Sequence, residues 1–252
     1  VSMSNPTTPI HRAPLSQQHR RVITTTSPDA IGAQVSVTID GIETKVPFGT
    51  TILEAAKSCG VSIPTLCDHP DLDVAGVCRM CVVEVEGQRT LQPACTFPVV
   101  NQMRVRTHTR KVRMARRHVL ELLLSEHHGE CYSCVRNGNC ELQSLGEEYG
   151  INAYPFGHPT ESQFDPDYSS YSVMRDMDKC IRCRRCIRTC IDVQEVGVFE
   201  AVGRSDKVTI ETFEDMPLGS VVCINCGQCV NRCPVGALYA KDETDEEWAA
   251  ID

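Results

Sequence analysis

The segment KCIRCRRCIRTC, residues 179–190, places four cysteines in twelve positions, and CINCGQCVNRCP, residues 223–234, repeats the arrangement. Each copy reads C-x2-C-x2-C-x3-C: Cys180, Cys183, Cys186 and Cys190, then Cys223, Cys226, Cys229 and Cys233, with Pro234 following. Three thiols separated by two residues each can wrap one small inorganic body through a tight turn. The fourth, three residues further on, starts a helix and points away. This is the cysteine run of bacterial two-cubane ferredoxins, in which the fourth cysteine serves the other cluster. The reading is therefore crossed. Cys180, Cys183, Cys186 and Cys233 form one 4Fe–4S set, and Cys190, Cys223, Cys226 and Cys229 form the other. Neither half is complete alone. Zinc is the rival reading, but a third cysteine at the same interval has no use in a single tetrahedron.

The first run is dense in cations, with Lys179, Arg182, Arg184, Arg185 and Arg188, whereas the second has only Arg232. Positive charge beside a cluster favours its reduced state. The asymmetry can separate two potentials or offer a docking face for an acidic electron carrier. Alternatively, these are ordinary surface arginines paired to a neighbouring subunit.

Two further groups of cysteines precede the repeat. Cys67, Cys78, Cys81 and Cys95 follow C-x10-C-x2-C-x13-C, which departs from the plant-type ferredoxin opening. Four thiolates suit a 2Fe–2S rhomb, with zinc as the alternative. HHGECYSCVRNGNC supplies Cys131, Cys134 and Cys140, one ligand short of four, and His127 or His128 can supply the missing imidazole. Cys59 has no CxxC partner and reads as a small buried apolar residue.

The chain has 252 residues and sixteen cysteines, clustered as CxxC rather than spread as a disulfide framework. That pattern points to a reducing cytoplasm. Aromatics are only 5% of residues, so one large aromatic core is not expected, and the length allows two to three small units. Net charge is −8, which argues against nucleic acid as a partner. No apolar run is long enough for a membrane span, so the chain does not read as an integral membrane protein. No G-x-G-x-x-G or Walker loop is present, and no nucleophile–base pair emerges, so no complete active site of its own is expected.

Along the chain, residues 1–34 read as a flexible arm rich in Ser, Thr, Pro and Gln. Residues 35–46 read as a hairpin turning at Asp40-Gly41. Residues 50–60 read as a helix capped by Thr50 or Thr51, with Glu54 in its first turn and Gly60 stopping it. CVVEVEG, residues 81–87, and MRVRTH, residues 103–108, alternate like further strands. The fold class is α+β: a β-grasp 2Fe–2S domain at 35–108, a helix with a histidine/cysteine segment at 109–145, a linker at 146–172, a two-cubane ferredoxin domain at 173–241 and an acidic tail at 242–252. In the basic helix Val112, Ala115, Val119, Leu122 and Leu123 form the apolar stripe, opposite a solvated basic face. Trp248, in the tail, reads as a minor packing anchor.

In order, C67-x10-C78-x2-C81-x13-C95, H127-x3-C131-x2-C134-x5-C140 and two ferredoxin runs resemble a known cluster-bearing module. It is similar to the N-terminal region of iron-only hydrogenases and to the front of the large iron–sulfur subunit of complex I. It is also similar to the diaphorase small subunit of NAD-reducing hydrogenases and the small subunit of some NAD-dependent formate dehydrogenases. The resemblance covers residues 35–241. It implies that His127, rather than His128, completes the ligand set of Cys131, Cys134 and Cys140. It also implies one 2Fe–2S and three 4Fe–4S clusters in an electron-relay subunit of a NAD(P)-linked hydrogenase. The implied partners are a flavin- and NAD(P)-binding iron–sulfur subunit and a hydrogenase catalytic subunit. Ferredoxin, and electron bifurcation, are compatible with it. Iron-only hydrogenases continue beyond the CPVGAL region into a hydrogen-activating domain, and this sequence does not show one. An iron-only hydrogenase fragment and a formate dehydrogenase subunit are the alternatives.

Overall fold

The structure, a computed structural model, describes residues 33–129 and 131–251. The expected N-terminal arm, residues 1–34, lies outside the described residues except for its last two positions.

Strands β1 (Gln34–Ile39) and β2 (Ile42–Pro47) form the expected hairpin, antiparallel with Ile39 opposite Ile42. Its two-residue turn has Asp40 at φ 47° and Gly41 at φ 87°. Both lie in the left-handed region, the turn geometry that matches strand twist. The Asp40 carboxylate also accepts the Thr107 backbone N–H at 2.7 Å, so the turn is tied to the far end of the unit. Helix α1 (Ile52–Ser58) starts at Thr51, whose hydroxyl accepts the Glu54 N–H while the Glu54 carboxylate accepts the Thr51 N–H. This reciprocal cap satisfies two otherwise orphaned donors.

Strand β3 (Val82–Val85) is joined by a two-residue strand β4 (Gln92–Pro93), and β5 (Met103–Arg106) runs parallel to β1, giving the order β2-β1-β5-β3-β4. Val37, Ile39, Val83 and Val105 from the sheet form one core with Ile52, Leu53, Ala55 and Ala56 of α1. Between α1 and β3 the chain runs as a loop that carries three of the expected ligands.

Helix α2 (Arg110–Leu124) begins at Thr109, whose hydroxyl accepts the Val112 N–H. Its buried positions are Val112, Arg116, Leu120 and Glu121, while Leu122 is 52% exposed. The expected solvated basic face holds for Arg110, Lys111, Arg113 and His118, which are exposed, but not for Arg116. Arg116 is fully buried, donating to the Val82 carbonyl at 2.9 Å and to the Tyr149 hydroxyl at 3.2 Å. Its guanidinium satisfies groups of the sheet and of the segment after α3 together. Helix α3 (Glu141–Glu148), which sequence periodicity did not suggest, starts directly after Cys140.

Residues 149–172 contain no helix or longer strand, yet they are tied down. Tyr149 and Ser170 are buried, and Ser162 and Gln163 donate to the Asp178 carboxylate. Strand β6 (Val173–Arg175) pairs antiparallel with β9 (Leu238–Ala240), closing the cysteine repeat at its two ends. Between them lie α4 (Arg185–Arg188), which widens into a π-type turn over Thr189–Val193, the hairpin β7 (Glu200–Val202) and β8 (Thr209–Glu211), and α5 (Gln228–Arg232).

The repeat is visible in the backbone. Arg182 and Arg184 have φ of 55° and 60°, and the matching Asn225 and Gly227 have 55° and 66°. A second core runs from Leu66 and Met80 through Leu120 and Leu142 to Val173, Phe199 and Leu238, so all these parts share one interior. Helix α6 (Thr244–Ile251) ends the described chain, and Trp248 on it is 61% exposed rather than a packing anchor. No helix among the described residues is long and apolar enough to cross a membrane.

Candidate metal centres

Four groups of thiols are brought together. In the first, Cys81 Sγ lies 3.4 Å from Cys95 Sγ. Side-chain hydrogen bonds from Cys78 and then Cys95 hold Cys67 well below the ordinary thiol range, with backbone N–H groups of Cys78 and Val77 adding to them. Cys67, Cys78, Cys81 and Cys95 therefore converge, and a thiolate is favoured among them, the form that binds metal. The loop that does this turns at Gly76, φ 65°, where a Cβ would come within 2.8 Å of the Thr96 methyl. It turns again at Arg79, φ 59°.

The second group lines a cavity: His127, Cys131, Cys134 and Cys140, beside His128, Lys179 and Gly236. His127 is buried and its Nδ1 has no hydrogen-bond partner. Burial, then the nearby Lys179 charge, lowers its pKa to about 4, so it is a neutral imidazole at physiological pH. His128 is otherwise engaged. Its Nδ1 lies 3.5 Å from the Asp178 carboxylate, and its backbone N–H donates to the Asp178 carbonyl. A Cβ on Gly236 would lie 2.7 Å from Cys134 Sγ, so the chain passes too close there for any other residue.

The third cavity is lined by Cys180, Cys183, Cys186 and Cys233 among Ile181, Phe199, Ile210 and Leu238. The fourth is lined by Cys190, Cys223, Cys226 and Cys229 among Val196, Val198 and Phe199. The structure thus sets Cys233 with the first run and Cys190 with the second. Burial pushes Cys180 and Cys229 up to about 12 and raises Cys183, Cys186 and Cys233 as well. Four thiolates in such apolar surroundings need a cationic partner, and bound iron supplies that charge. Donors already point at the sulfurs. The Arg182 N–H lies 3.4 Å from Cys180 Sγ, the Val198 N–H 3.2 Å from Cys190 Sγ and the Arg136 N–H 3.5 Å from Cys134 Sγ. Among the described residues, no group of three or more His, Cys, Asp or Glu side chains is arranged to hold a single metal ion. The donor sets fit polynuclear iron–sulfur groups in number and type.

The arginines of the first run turn mainly inward, which corrects both surface readings of them. Arg185 is buried, forms a two-point pair with Glu141 at 2.6 and 2.8 Å, and donates to the Asp68 carbonyl at 2.8 Å. Arg188 donates to the Cys67 carbonyl at 2.6 Å and to that of Asp73. Arg182 pairs with Glu126, and Lys179 with Asp176 at 2.6 Å. Arg184 is exposed. From the second run, Arg232 reaches Asp71 at 3.3 Å. The first-run cavity consequently adjoins all three others. Arg185 and Arg188 join it to the Cys67 loop, Arg136 donates to the Cys233 carbonyl at 3.4 Å from the His127 side, and Phe199 lines both cubane cavities.

Known proteins share this arrangement. A family described as "2Fe-2S iron-sulfur cluster binding domain" matches residues 32–110. "NADH-ubiquinone oxidoreductase-G iron-sulfur binding region" matches 116–154, and "NADH-quinone oxidoreductase subunit 3, ferredoxin-like domain" matches 170–239. The chain is 47% identical over 226 residues to the NADP-reducing hydrogenase subunit HndD of Solidesulfovibrio fructosivorans, covering 87% of this chain and 38% of that one. It is 37% identical over 207 residues to the NADH-ubiquinone oxidoreductase 75 kDa subunit of Reclinomonas americana, covering 82% of this chain and 29% of the relative. A chain in the crystal structure of a NAD+-reducing [NiFe]-hydrogenase in the H2-reduced state superposes with a TM-score of 0.76 at 31% identity, covering 83% of this chain and 88% of that one. The chain belongs to the iron–sulfur subunit family that includes this NAD+-reducing hydrogenase chain, and it is similar to subunits of NADH-quinone oxidoreductase.

This iron–sulfur subunit is a mixed α/β chain with a 2Fe–2S domain, a 4Fe–4S-binding region and a ferredoxin-like domain. It spans 38% and 29% of the two curated relatives named above. Sequence reasoning missed the buried arginines, whose partners lie more than thirty positions away. An arginine inside an apolar helical stripe, as at Arg116, is the available signal.

Proposed function

We propose that this iron–sulfur subunit relays electrons within a NAD(P)-linked hydrogenase. It would run between a flavin- and NAD(P)-binding iron–sulfur subunit and a hydrogenase catalytic subunit, with ferredoxin as a further carrier. Its cargo is one 2Fe–2S cluster on Cys67, Cys78, Cys81 and Cys95 and three 4Fe–4S clusters, about 14 irons per chain. The three are held by His127 with Cys131, Cys134 and Cys140; by Cys180, Cys183, Cys186 and Cys233; and by Cys190, Cys223, Cys226 and Cys229. When bound, these groups supply one-electron chemistry, and the protein supplies spacing, burial and local charge.

The observation that carries the reading is the exchange of Cys190 and Cys233 between the two runs, each lining the other run's cavity. Three cysteines at two-residue spacing with a crossed fourth is the two-cubane pattern. The five-stranded sheet with α1 supports a β-grasp 2Fe–2S domain at 35–108. The closure of residues 173–241 by β6 and β9 supports a two-cubane unit. The sixteen cysteines, all among the described residues, form no disulfide, which supports a reducing, cytoplasmic setting. The exposed Cys131 and Cys226, with the other two sets lying deeper, support electron exchange with partners at these two sets.

The test is anaerobic purification of the native assembly. About 14 irons with matching acid-labile sulfide, and co-purification with flavin-containing and hydrogenase chains, is the expected result. Zinc without sulfide would sink the relay. A molybdenum or tungsten polypeptide among the partners would move the subunit to a formate dehydrogenase.

A further inference from the structure

One charged side chain outside the thiol sets is poised against them. Arg175 ends β6 and is 8% exposed. Its guanidinium is held from one side only. Nη2 donates to Asp215 Oδ1 at 3.1 Å, and Nε lies 3.9 Å from Asp167 Oδ2. Nη1 is shut off from solvent and has no hydrogen-bond partner.

Arg175 stands between two cavities. One is open, about 530 Å³, with Asp167 and Asp215 in its wall. The other is the closed cavity of Cys180, Cys183, Cys186 and Cys233. A nitrogen facing the open cavity would be wetted, and Nη1 is not. Nη1 thus lies on the dry side of a side chain that also lines the cavity of Cys180, Cys183, Cys186 and Cys233. A charged donor left unpartnered in dry surroundings is strongly unfavourable. Clusters present anionic sulfurs that accept hydrogen bonds, and such bonds set their potentials. Arg184 also lines the cavity of Cys180, Cys183, Cys186 and Cys233 but is exposed, whereas the neighbouring cavity of Cys190, Cys223, Cys226 and Cys229 has no lysine or arginine in its lining. The two cubane sites thus differ in charge where they are otherwise duplicated.

Building on the cluster-binding reading, we propose that Arg175 donates a charge-assisted hydrogen bond from Nη1 to the cluster held by Cys180, Cys183, Cys186 and Cys233. This raises that cluster's reduction potential above that of its twin. Asp167 and Asp215 hold the guanidinium in place from the solvent side. Arg175 is a positioning and tuning residue, not a ligand. Of the two cubanes of the repeat, the first-run cluster is then the one on which an electron rests more stably.

The test uses the full chain loaded anaerobically, with potentials read by redox-titrated paramagnetic resonance and iron and sulfide counted in parallel. In R175M the first-run cluster should lose at least tenfold in its reduction equilibrium, a fall of about 59 mV for a one-electron couple. The other three should hold their wild-type values, and R175K should recover part of the loss. An unshifted first-run cluster with full iron content would overturn the proposal, as would an equal shift in both cubanes. Where R175M fails to retain iron, D215N decides. Asp215 is largely exposed, so that variant keeps its fold. It should shift the same single potential and leave the other three in place, and no shift there, or an equal shift in both cubanes, would overturn the proposal. Wild-type protein without clusters would instead overturn the relay reading itself.

Discussion

Arg188 donates from Nη2 to the backbone carbonyl of Cys67 at 2.6 Å, across 121 positions of sequence. With Arg185 on the Asp68 carbonyl and Arg232 on Asp71, it grips the loop that supplies the first thiol set. The arginines that crowd the first cysteine run are therefore an internal clasp between two metal centres.

Arg185→Leu should loosen that clasp. It removes a two-point pair with Glu141 and the donor to the Asp68 carbonyl. Because the Glu141 side chain is 43% exposed, the cost is expected at about 2–3 kcal/mol rather than the larger figure for a fully buried pair. Denaturant titration followed by cluster absorbance measures it, and an unchanged midpoint would show that the clasp adds nothing.

Crossed ligation separates two conservative substitutions. Cys190→Ser should degrade the cluster of Cys223, Cys226 and Cys229, and Cys233→Ser that of Cys180, Cys183 and Cys186. Resonance spectra of the reduced variants report which signal is lost. The opposite pairing would mean that each run keeps its own fourth cysteine.

His127→Ala should remove or alter one 4Fe–4S signal and spare the rest, whereas His128→Ala should leave all signals in place. His128 already faces Asp178. An effect confined to the His128 variant would transfer the ligand role by one position.

Acid should weaken the same site. The folded pKa of His127 is lowered to about 4 from an ordinary 6.5. Between those values an unfolded imidazole takes up a proton that the buried one refuses. Stability from this group is thus fully present above pH 6.5 and is lost as pH falls toward 4. The expected loss between pH 7 and pH 5 is about 2 kcal/mol. It is measured as early fading of that cluster's signal on acidification. A His127→Cys variant should hold the signal over the same range, and equal fading in both would remove the histidine from the account.

Legibility in the sequence followed the range of the interaction. The β1–β2 hairpin and the Thr51–Glu54 cap rest on residues within three or four positions, and both could be read directly. The thiol sets could be drawn up from spacing, because reach limits which sulfurs share a centre. Strand β4 could not be read, since Gln92–Pro93 is a strand only through its pairing with β3. Helix α3 is short and interrupted by Gly146, so its pattern is faint. The apolar stripe of α2 gave the wrong emphasis because Arg116 and Glu121 are buried there by polar partners that hydrophobic periodicity does not register. The inward turn of Arg185 and Arg188 depends on a loop more than a hundred positions earlier.

The lodging of Cys233 in the cavity of the first run also orders the maturation of the protein. A nascent chain has all four thiols of the earliest set once residue 95 has left the ribosome. At residue 190 it still lacks a finished pocket for either cubane. The second-run pocket has its four thiols once residue 229 has emerged and the first-run pocket only at residue 233, so delivery of iron and sulfide to either is expected to follow translation of nearly the whole repeat.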